Sequence, residues 1–250
     1  MAGRKCADIV FLLDASGSMS PCIEAVKKNI GKLIEFFKLD AQNSWDIRLD
    51  FLAHSSWGDL HSIQSISLSG SDLITAIYNA QGGVAGSFFT NDSEKFQKAL
   101  AQVKTEGDET TLVALDIALD FPWRPAETCH RAIICLSDEP IETGQNVPFQ
   151  KAQIDNLIKK IHSKRIKLYI VAPQSDAFDT LSMADRCEYE PVAEESDGLR
   201  NTDFAKLMEA IGKSVSVSQT NSSGTNTPQP LYGQEKWAAG SGSFGVDGRR

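Results

Sequence analysis

The chain has 250 residues, of which 41% are hydrophobic, and its formal net charge is -8. This length and composition suit one domain with a sizeable core, and the acidic balance argues against a protein that binds nucleic acid through basic runs. No apolar stretch approaches the roughly 20 residues that span a bilayer. The N-terminus leads straight into a predicted strand, so we expect a cytoplasmic protein with no membrane span.

The first predicted element is a strand buried on both faces, because residues 9–13 form an unbroken apolar run. The run ends at Asp14, and two hydroxyls follow at alternate positions, in Ser16 and Ser18. Ser20 and Pro21 then predict the N-cap and the first residue of a helix. The sequence therefore predicts an oxygen-rich loop at a strand end, which offers the ligands that hard cations such as Mg2+ prefer.

The rest of the chain alternates between helical and strand patterns. Further helices are predicted at 23–37, 93–103 (capped by Ser93), 112–119, 154–161 and 204–211, and further strands at 45–54, 131–136, 166–173 and 188–192. The region 55–91 predicts an edge hairpin and an insertion. This order predicts an α/β fold with a doubly wound, mostly parallel six-stranded sheet, one antiparallel edge strand, and helices on both faces.

Composition changes near the end of the chain. Residues 1–217 are predicted to form the folded domain, and residues 218–250 are predicted to be a low-complexity, disordered tail. The five cysteines form no CxxC pair, and their odd number favours reduced thiols over a disulfide framework. The four histidines lack zinc-ligand spacing and are expected at surface or packing positions.

The Asp14-x-Ser16-x-Ser18 pattern after a buried strand resembles the von Willebrand factor A (VWA) domain family, whose metal-ion-dependent adhesion site (MIDAS) begins with Asp-x-Ser-x-Ser. The resemblance implies a Rossmann-like sheet of order 3-2-1-4-5-6, which places the strands ending at Asp14 and Asp138 side by side. Asp138 follows an apolar strand, as the last metal-site aspartate of the family does. Ligands of such sheets bind at the carboxyl ends of strands where the strand order reverses.

The middle metal ligand departs from the usual family pattern. Most members have a threonine before the next helix, and integrin beta subunits have a glutamate there. Counting back five residues from Ala114, as the family pattern suggests, gives Glu109. Asp108, Thr110 and Thr111 are alternatives if the loop is shifted by one or two residues, although Thr110 or Thr111 would also serve as a plain N-cap.

The resemblance implies an octahedral Mg2+ site, with Mn2+ as a substitute. Ser16, Ser18 and one residue of the Glu109 loop would hold the ion, and Asp14 and Asp138 would orient bound waters. The remaining position would accept an Asp or Glu from a protein partner.

The implied function is a non-catalytic, metal-dependent protein-binding module. Stand-alone bacterial members accompany kinases, phosphatases or ATPases, so we expect a subunit or scaffold of a signalling, stress or defence assembly. The sequence has no GxSxG elbow and no P-loop, and we expect no enzymatic activity. The alternative is a Mg2+-dependent phosphotransferase or phosphatase with Asp14 as nucleophile. Such enzymes carry a second aspartate two positions on, where this chain has Ser16.

Overall fold

The structure, a computed structural model, describes residues 5–39, 45–55, 59–62, 65–81, 88–193, 199 and 202–220. One sheet forms its centre. Within these residues the sheet has seven strands in the order β4-β3-β2-β1-β5-β6-β7. The strands are β1 (Lys5–Asp14), β2 (Trp45–His54), β3 (Asp59–Ser62), β4 (Ser65–Ser69), β5 (His130–Leu136), β6 (Lys167–Pro173) and β7 (Cys187–Val192).

Helices cover both faces of the sheet. They are α1 (Ser20–Leu39), α2 (Gly70–Gln81), α3 (Ser93–Leu100), α4 (Thr111–Leu119), α5 (Val147–Ala152), α6 (Ile154–Lys164), α7 (Asp176–Ser182) and α8 (Phe204–Thr220). Alternate residues of β1 face opposite sides, so Ile9 and Phe11 join the core under α1, α3 and α8. Val10 and Leu12 join the core under α2, α4, α6 and α7. The predicted doubly wound α/β class is therefore confirmed.

The prediction of six strands is wrong by one. Strands β2, β1, β5, β6 and β7 run parallel, whereas β3 pairs antiparallel with β2 and β4 pairs antiparallel with β3. The predicted edge hairpin is confirmed, but both of its arms join the sheet. The edge therefore has two antiparallel strands instead of one.

Several predicted boundaries also shift. Helix α1 begins at Ser20 itself, directly after a 3-10 turn over Gly17–Met19. The cap of α3 is Asp92 rather than Ser93, because its carboxylate accepts hydrogen bonds from the N–H groups of Glu94 and Lys95. The sequence does not predict helices α5 and α7, because segments of six and seven residues are too short to show a helical period.

The last helix runs to Thr220, past the predicted domain end at 217, and residues 221–250 of the predicted tail lie outside the described residues. Among the described residues, no helix has the length and apolar character needed to cross a membrane.

A buried ion-pair network joins the amino ends of the strands. Asp8 in β1 is fully buried, and its carboxylate accepts hydrogen bonds from Arg48 Nε (2.9 Å) and Nη2 (2.6 Å). Arg124 adds its backbone N–H (2.9 Å) and its Nε (2.8 Å), and it also pairs with Asp46 (2.7 Å). Burial by itself would raise the pKa of Asp8, but these hydrogen bonds outweigh it and hold the pKa below its usual value.

We predict that Arg124→Met lowers the free energy of unfolding by about 3 kcal/mol, because it leaves the Asp8 carboxylate buried with one cation fewer. Chemical denaturation measures this loss. Lys98→Met is the matched control: Lys98 and Glu94 form an ion pair with both side chains exposed, so its loss should cost about 0.5 kcal/mol or less. Equal effects of the two substitutions would contradict the prediction.

Candidate metal centre

The parallel pairing of β1 with β5 brings the two predicted aspartates together. Leu13 pairs with Leu136 in the register, so Asp14 and Asp138 follow at the same edge of neighbouring strands. Ser137 Oγ donates to Asp14 Oδ2 (3.0 Å) and so connects the two strand ends directly. Both aspartates are fully buried. The expectation that these strands lie side by side is confirmed.

The first loop is folded tightly around the carboxylate of Asp14. The backbone N–H of Ser16 donates to Asp14 Oδ1 (2.8 Å), and the N–H of Met19 donates to the carbonyl of Ser16 (3.1 Å). The hydroxyl oxygens of Ser16 and Ser18 lie 3.1 Å apart. Two hydroxyls and one carboxylate thus converge at the end of β1, as the motif predicts.

The middle loop brings Glu109 to the same place. Glu109 is only 4% exposed, and the charge of Asp14 is one of the causes that raise its pKa. Thr110 occupies the N-cap position of α4 without capping it, because its hydroxyl donates to the carbonyl of Ser55 (3.1 Å). Thr111 is buried, whereas Asp108 is exposed. Glu109 and Thr111 are therefore the better-placed candidates for the middle ligand.

Residues after β5 hold the middle loop in position. The buried Gln150 accepts a hydrogen bond from the N–H of Leu112 (2.9 Å) and donates to the carbonyl of Gln145 (2.7 Å). The N–H of Gln145 in turn donates to the carbonyl of Glu109 (3.0 Å). A Cβ atom at Gly144 would lie 2.9 Å from that same carbonyl oxygen, so the close approach requires glycine.

The candidate centre contains buried oxygen atoms that no group of the described residues satisfies. Within those residues, no hydrogen-bond partner is present for either carboxylate oxygen of Asp138, for Oε2 of Glu109 or for Oγ1 of Thr111. Unsatisfied buried carboxylates are costly unless a cation or a proton compensates them. A Mg2+ ion fits this donor set, because Mg2+ binds through a few carboxylates and hydroxyls and retains waters.

Carboxylates do not make up the whole donor set. Among the residues that the structure describes, no group of three or more His, Cys, Asp and Glu side chains is placed to hold a metal ion. The candidate set is instead mixed, with the hydroxyls of Ser16 and Ser18 beside the acids.

The electrostatics of the site oppose ionisation of its acids. Burial, with a contribution from the charge of Asp138, raises the pKa of Asp14 to about 7. Burial, followed by the charges of Asp14 and Glu139, raises the pKa of Glu109 to about 8. A bound divalent cation would reverse these shifts by favouring the charged forms.

Sequence reasoning missed three residues of the site. Ser137 lies next to a predicted ligand, and its role depends on the contact between two strands. Gln150 belongs to α5, which the sequence does not predict. His54 is fully buried opposite Asp14 in the β1–β2 register, and neither ring nitrogen has a hydrogen-bond partner among the residues that the structure describes. Burial lowers its pKa to about 3, so its imidazole is neutral.

The chain is similar to parts of three larger known proteins. No family model matches the chain. It is 25% identical to the alpha-protein kinase vwkA of Dictyostelium discoideum over 140 residues, which are 54% of this chain and 19% of that protein. Among solved structures, the pilus adhesin SpaC of Lactobacillus rhamnosus GG has a TM-score of 0.52 at 11% identity, covering 86% of this chain and 31% of SpaC. Human COPII-coat protein Sec24c has a TM-score of 0.49 at 11% identity, covering 85% of this chain and 32% of Sec24c.

The chain thus spans about a fifth of the kinase and about a third of the adhesin. At 11% identity the likeness to SpaC concerns the fold alone. Together with the sheet order, it supports a VWA-type fold for this chain.

We predict that the metal-free protein, in EDTA, loses stability as the pH rises from about 6 to about 8. The folded-state pKa values of Asp14 and Glu109 lie above those of the unfolded chain, so folding takes up protons. Between the unfolded values of about 4 and these folded values, stability falls by up to about 1.4 kcal/mol per pH unit for each group, and the fall is complete once the pH has passed about 7 and 8.

Urea unfolding at the two pH values measures the decline. In Asp14→Asn the decline should be smaller, because the amide has no proton to lose, and Mg2+ should reduce the wild-type decline by replacing the protons. An identical decline in the variant and the wild type would count against this account.

Proposed function

We propose that this chain is a non-catalytic, cytoplasmic binding module of VWA type that recognises a carboxylate of a protein partner through a bound Mg2+. The observation that carries the proposal is the group of buried acidic oxygens without partners, on Asp138 and Glu109, next to the hydroxyls of Ser16 and Ser18. A site of this kind is stable when a cation occupies it.

Each residue has a distinct part in the proposed site. Ser16 and Ser18 supply neutral hydroxyl oxygens from the first loop, and Glu109 supplies a carboxylate oxygen from the loop held by Gln150. Asp14 and Asp138 orient bound waters. Ser137 orients the Asp14 carboxylate by its hydrogen bond to Oδ2. When bound, the ion supplies positive charge at a position where an acidic side chain of the partner can complete the coordination.

The proposal also includes the kind of assembly to which the module belongs. The relative in Dictyostelium is an alpha-protein kinase, and this chain matches only a part of it. We therefore propose that the module is a subunit or scaffold of a signalling, stress or defence assembly, with kinases, phosphatases or ATPases among its partners.

The geometry gives less support to a phosphotransferase with Asp14 as nucleophile. The carboxylate of Asp14 is fully buried, and both of its oxygens accept hydrogen bonds, from Ser16 N–H and from Ser137 Oγ. Two positions on, Ser16 has no acidic proton to give to a leaving group. Mg2+-dependent phosphoester hydrolysis that is lost in Asp14→Asn would favour the enzyme instead.

The first test of the proposal is metal binding. Isothermal titration of the wild-type chain should show one site for Mg2+ or Mn2+, and Asp14→Ala should abolish it because the first loop loses its central acceptor. Asp116→Ala is the control, since Asp116 lies on α4 and pairs with Lys160 away from the site.

A second pair of variants tests the middle ligand. Glu109→Ala should weaken Mg2+ binding about tenfold or more, and the neighbouring Asp108→Ala should change it far less. Undiminished binding in Asp14→Ala would remove the proposed site, and a stronger effect of Asp108→Ala than of Glu109→Ala would reassign the ligand.

The second test concerns the partner. A protein captured from native extract in Mg2+ should be released by EDTA and should not bind the Asp14→Ala chain. One Asp or Glu of that partner should be essential, so that its replacement by Asn or Gln abolishes binding. Capture that is unaffected by EDTA and by Asp14→Ala would contradict recognition through the ion.

A further inference from the structure

Two cysteines lie together at the amino ends of β1 and β5, far along the sheet from the candidate metal centre. Ala7 pairs with His130 in the parallel register, so Cys6 and Cys129 are the next residues back on the two strands. The thiol of Cys129 donates to the carbonyl of His130 (3.6 Å), and the two thiols are close enough for each to shift the pKa of the other. Neighbouring strands are about 4.8 Å apart, within the Cα separation of about 4.4 to 6.8 Å that a disulfide spans.

The backbone before Cys129 is held firmly in place. The N–H groups of Thr128 and Cys129 both donate to the carbonyl of Pro125, at 3.1 and 2.9 Å. Arg124, at the start of this turn, is bound to the buried carboxylate of Asp8 in β1. The turn is therefore attached to the strand that carries Cys6, which limits the movement of Cys129 relative to Cys6.

The two thiols differ in access to solvent. Cys6 is partly exposed, whereas Cys129 is only 3% exposed. A small oxidant therefore reaches Cys6 first, and Cys129 is positioned to react next. Burial raises the pKa of both thiols, although the guanidinium of Arg124 acts in the opposite direction. Because the thiolate is the reactive form, oxidation should become faster as the pH rises.

We propose that Cys6 and Cys129 are a redox modification site that forms a reversible intramolecular disulfide when a peroxide oxidises Cys6. The Cys6 thiolate attacks one peroxide oxygen, the O–O bond breaks, and with one proton the products are a sulfenic acid and water. The Cys129 sulfur then attacks the Cys6 sulfur, and the hydroxyl group leaves as a second water with the Cys129 proton. The two thiols are oxidised, and the peroxide is reduced to water.

The bond would connect the start of the central strand to a position about half the chain away. Such a crosslink restricts the unfolded chain more than the folded one, because it closes a long loop. The oxidised protein should therefore melt at a higher temperature than the reduced protein. A dithiol reductant should reverse the effect, because thiol–disulfide exchange restores both thiols.

The experiment uses the full chain treated with hydrogen peroxide at mildly alkaline pH, then acid-quenched, denatured and alkylated. Of the five cysteines, two should become unreactive to alkylation, and peptide mass spectrometry should find Cys6 linked to Cys129 with the loss of two hydrogen atoms. Cys6→Ser should abolish the linkage, and Cys187→Ala, at another buried cysteine, should retain it.

Two outcomes would overturn the proposal. One is oxidation of Cys6 to sulfinic acid while Cys129 remains alkylatable. The other is a linkage that persists in Cys6→Ser through a different pair of cysteines. Cys6→Ser alters a partly exposed position at a strand start, and its melting curve under reducing conditions shows whether the variant is folded.

Discussion

The proximity of two buried carboxylates at the ends of neighbouring parallel strands is the constraint on which the candidate site depends. Strands β1 and β5 run parallel and in register, so the acids that follow them lie at one edge. Asp14 and Asp138 are both removed from water, and burial together with the charge of Asp138 raises the pKa of Asp14. The fold therefore creates a position that requires a positive charge, whether a metal ion or protons supply it.

Strand β1 also carries a buried acid, Asp8, whose charge is compensated by protein side chains. At the amino end, Asp8 receives four hydrogen bonds from Arg48 and Arg124, and its pKa is held low. At the carboxyl end, Asp138 receives none from the described part of the chain. This contrast within one sheet supports the proposal that the second set of acids binds a cation.

The sequence predicts most of the fold because long apolar runs and regular spacing are local properties. Residues 9–13 and 131–136 predict buried strands, and both strands are present in the structure as β1 and β5. The sequence does not predict the short helices α5 and α7, or that both arms of the edge hairpin join the sheet, because segments of a few residues have no clear period. The sequence does not identify Asp92 as the cap of α3, because aspartate and serine are both common N-cap residues and Ser93 is the next residue along.

The candidate site was predicted only as far as its motif extends along the chain. Asp14, Ser16 and Ser18 are close in sequence, and the structure keeps them close in space. The support from Ser137 and Gln150 depends on contacts between distant segments, and such contacts leave no trace in a single sequence. Reducing the candidates for the middle ligand to Glu109 and Thr111 required the burial of each side chain and the hydrogen bond of Thr110.

The approach of Gly144 to the carbonyl of Glu109 has a consequence for the evolution of this chain. Any larger residue at 144 would place an atom 2.9 Å from that oxygen and push the Glu109 loop away from the strand ends. Natural selection on the acidic loop therefore acts on a position 35 residues later in the chain as well. The oxygen belongs to the backbone, so glycine at 144 should persist for as long as the loop keeps this conformation, whichever side chain stands at 109.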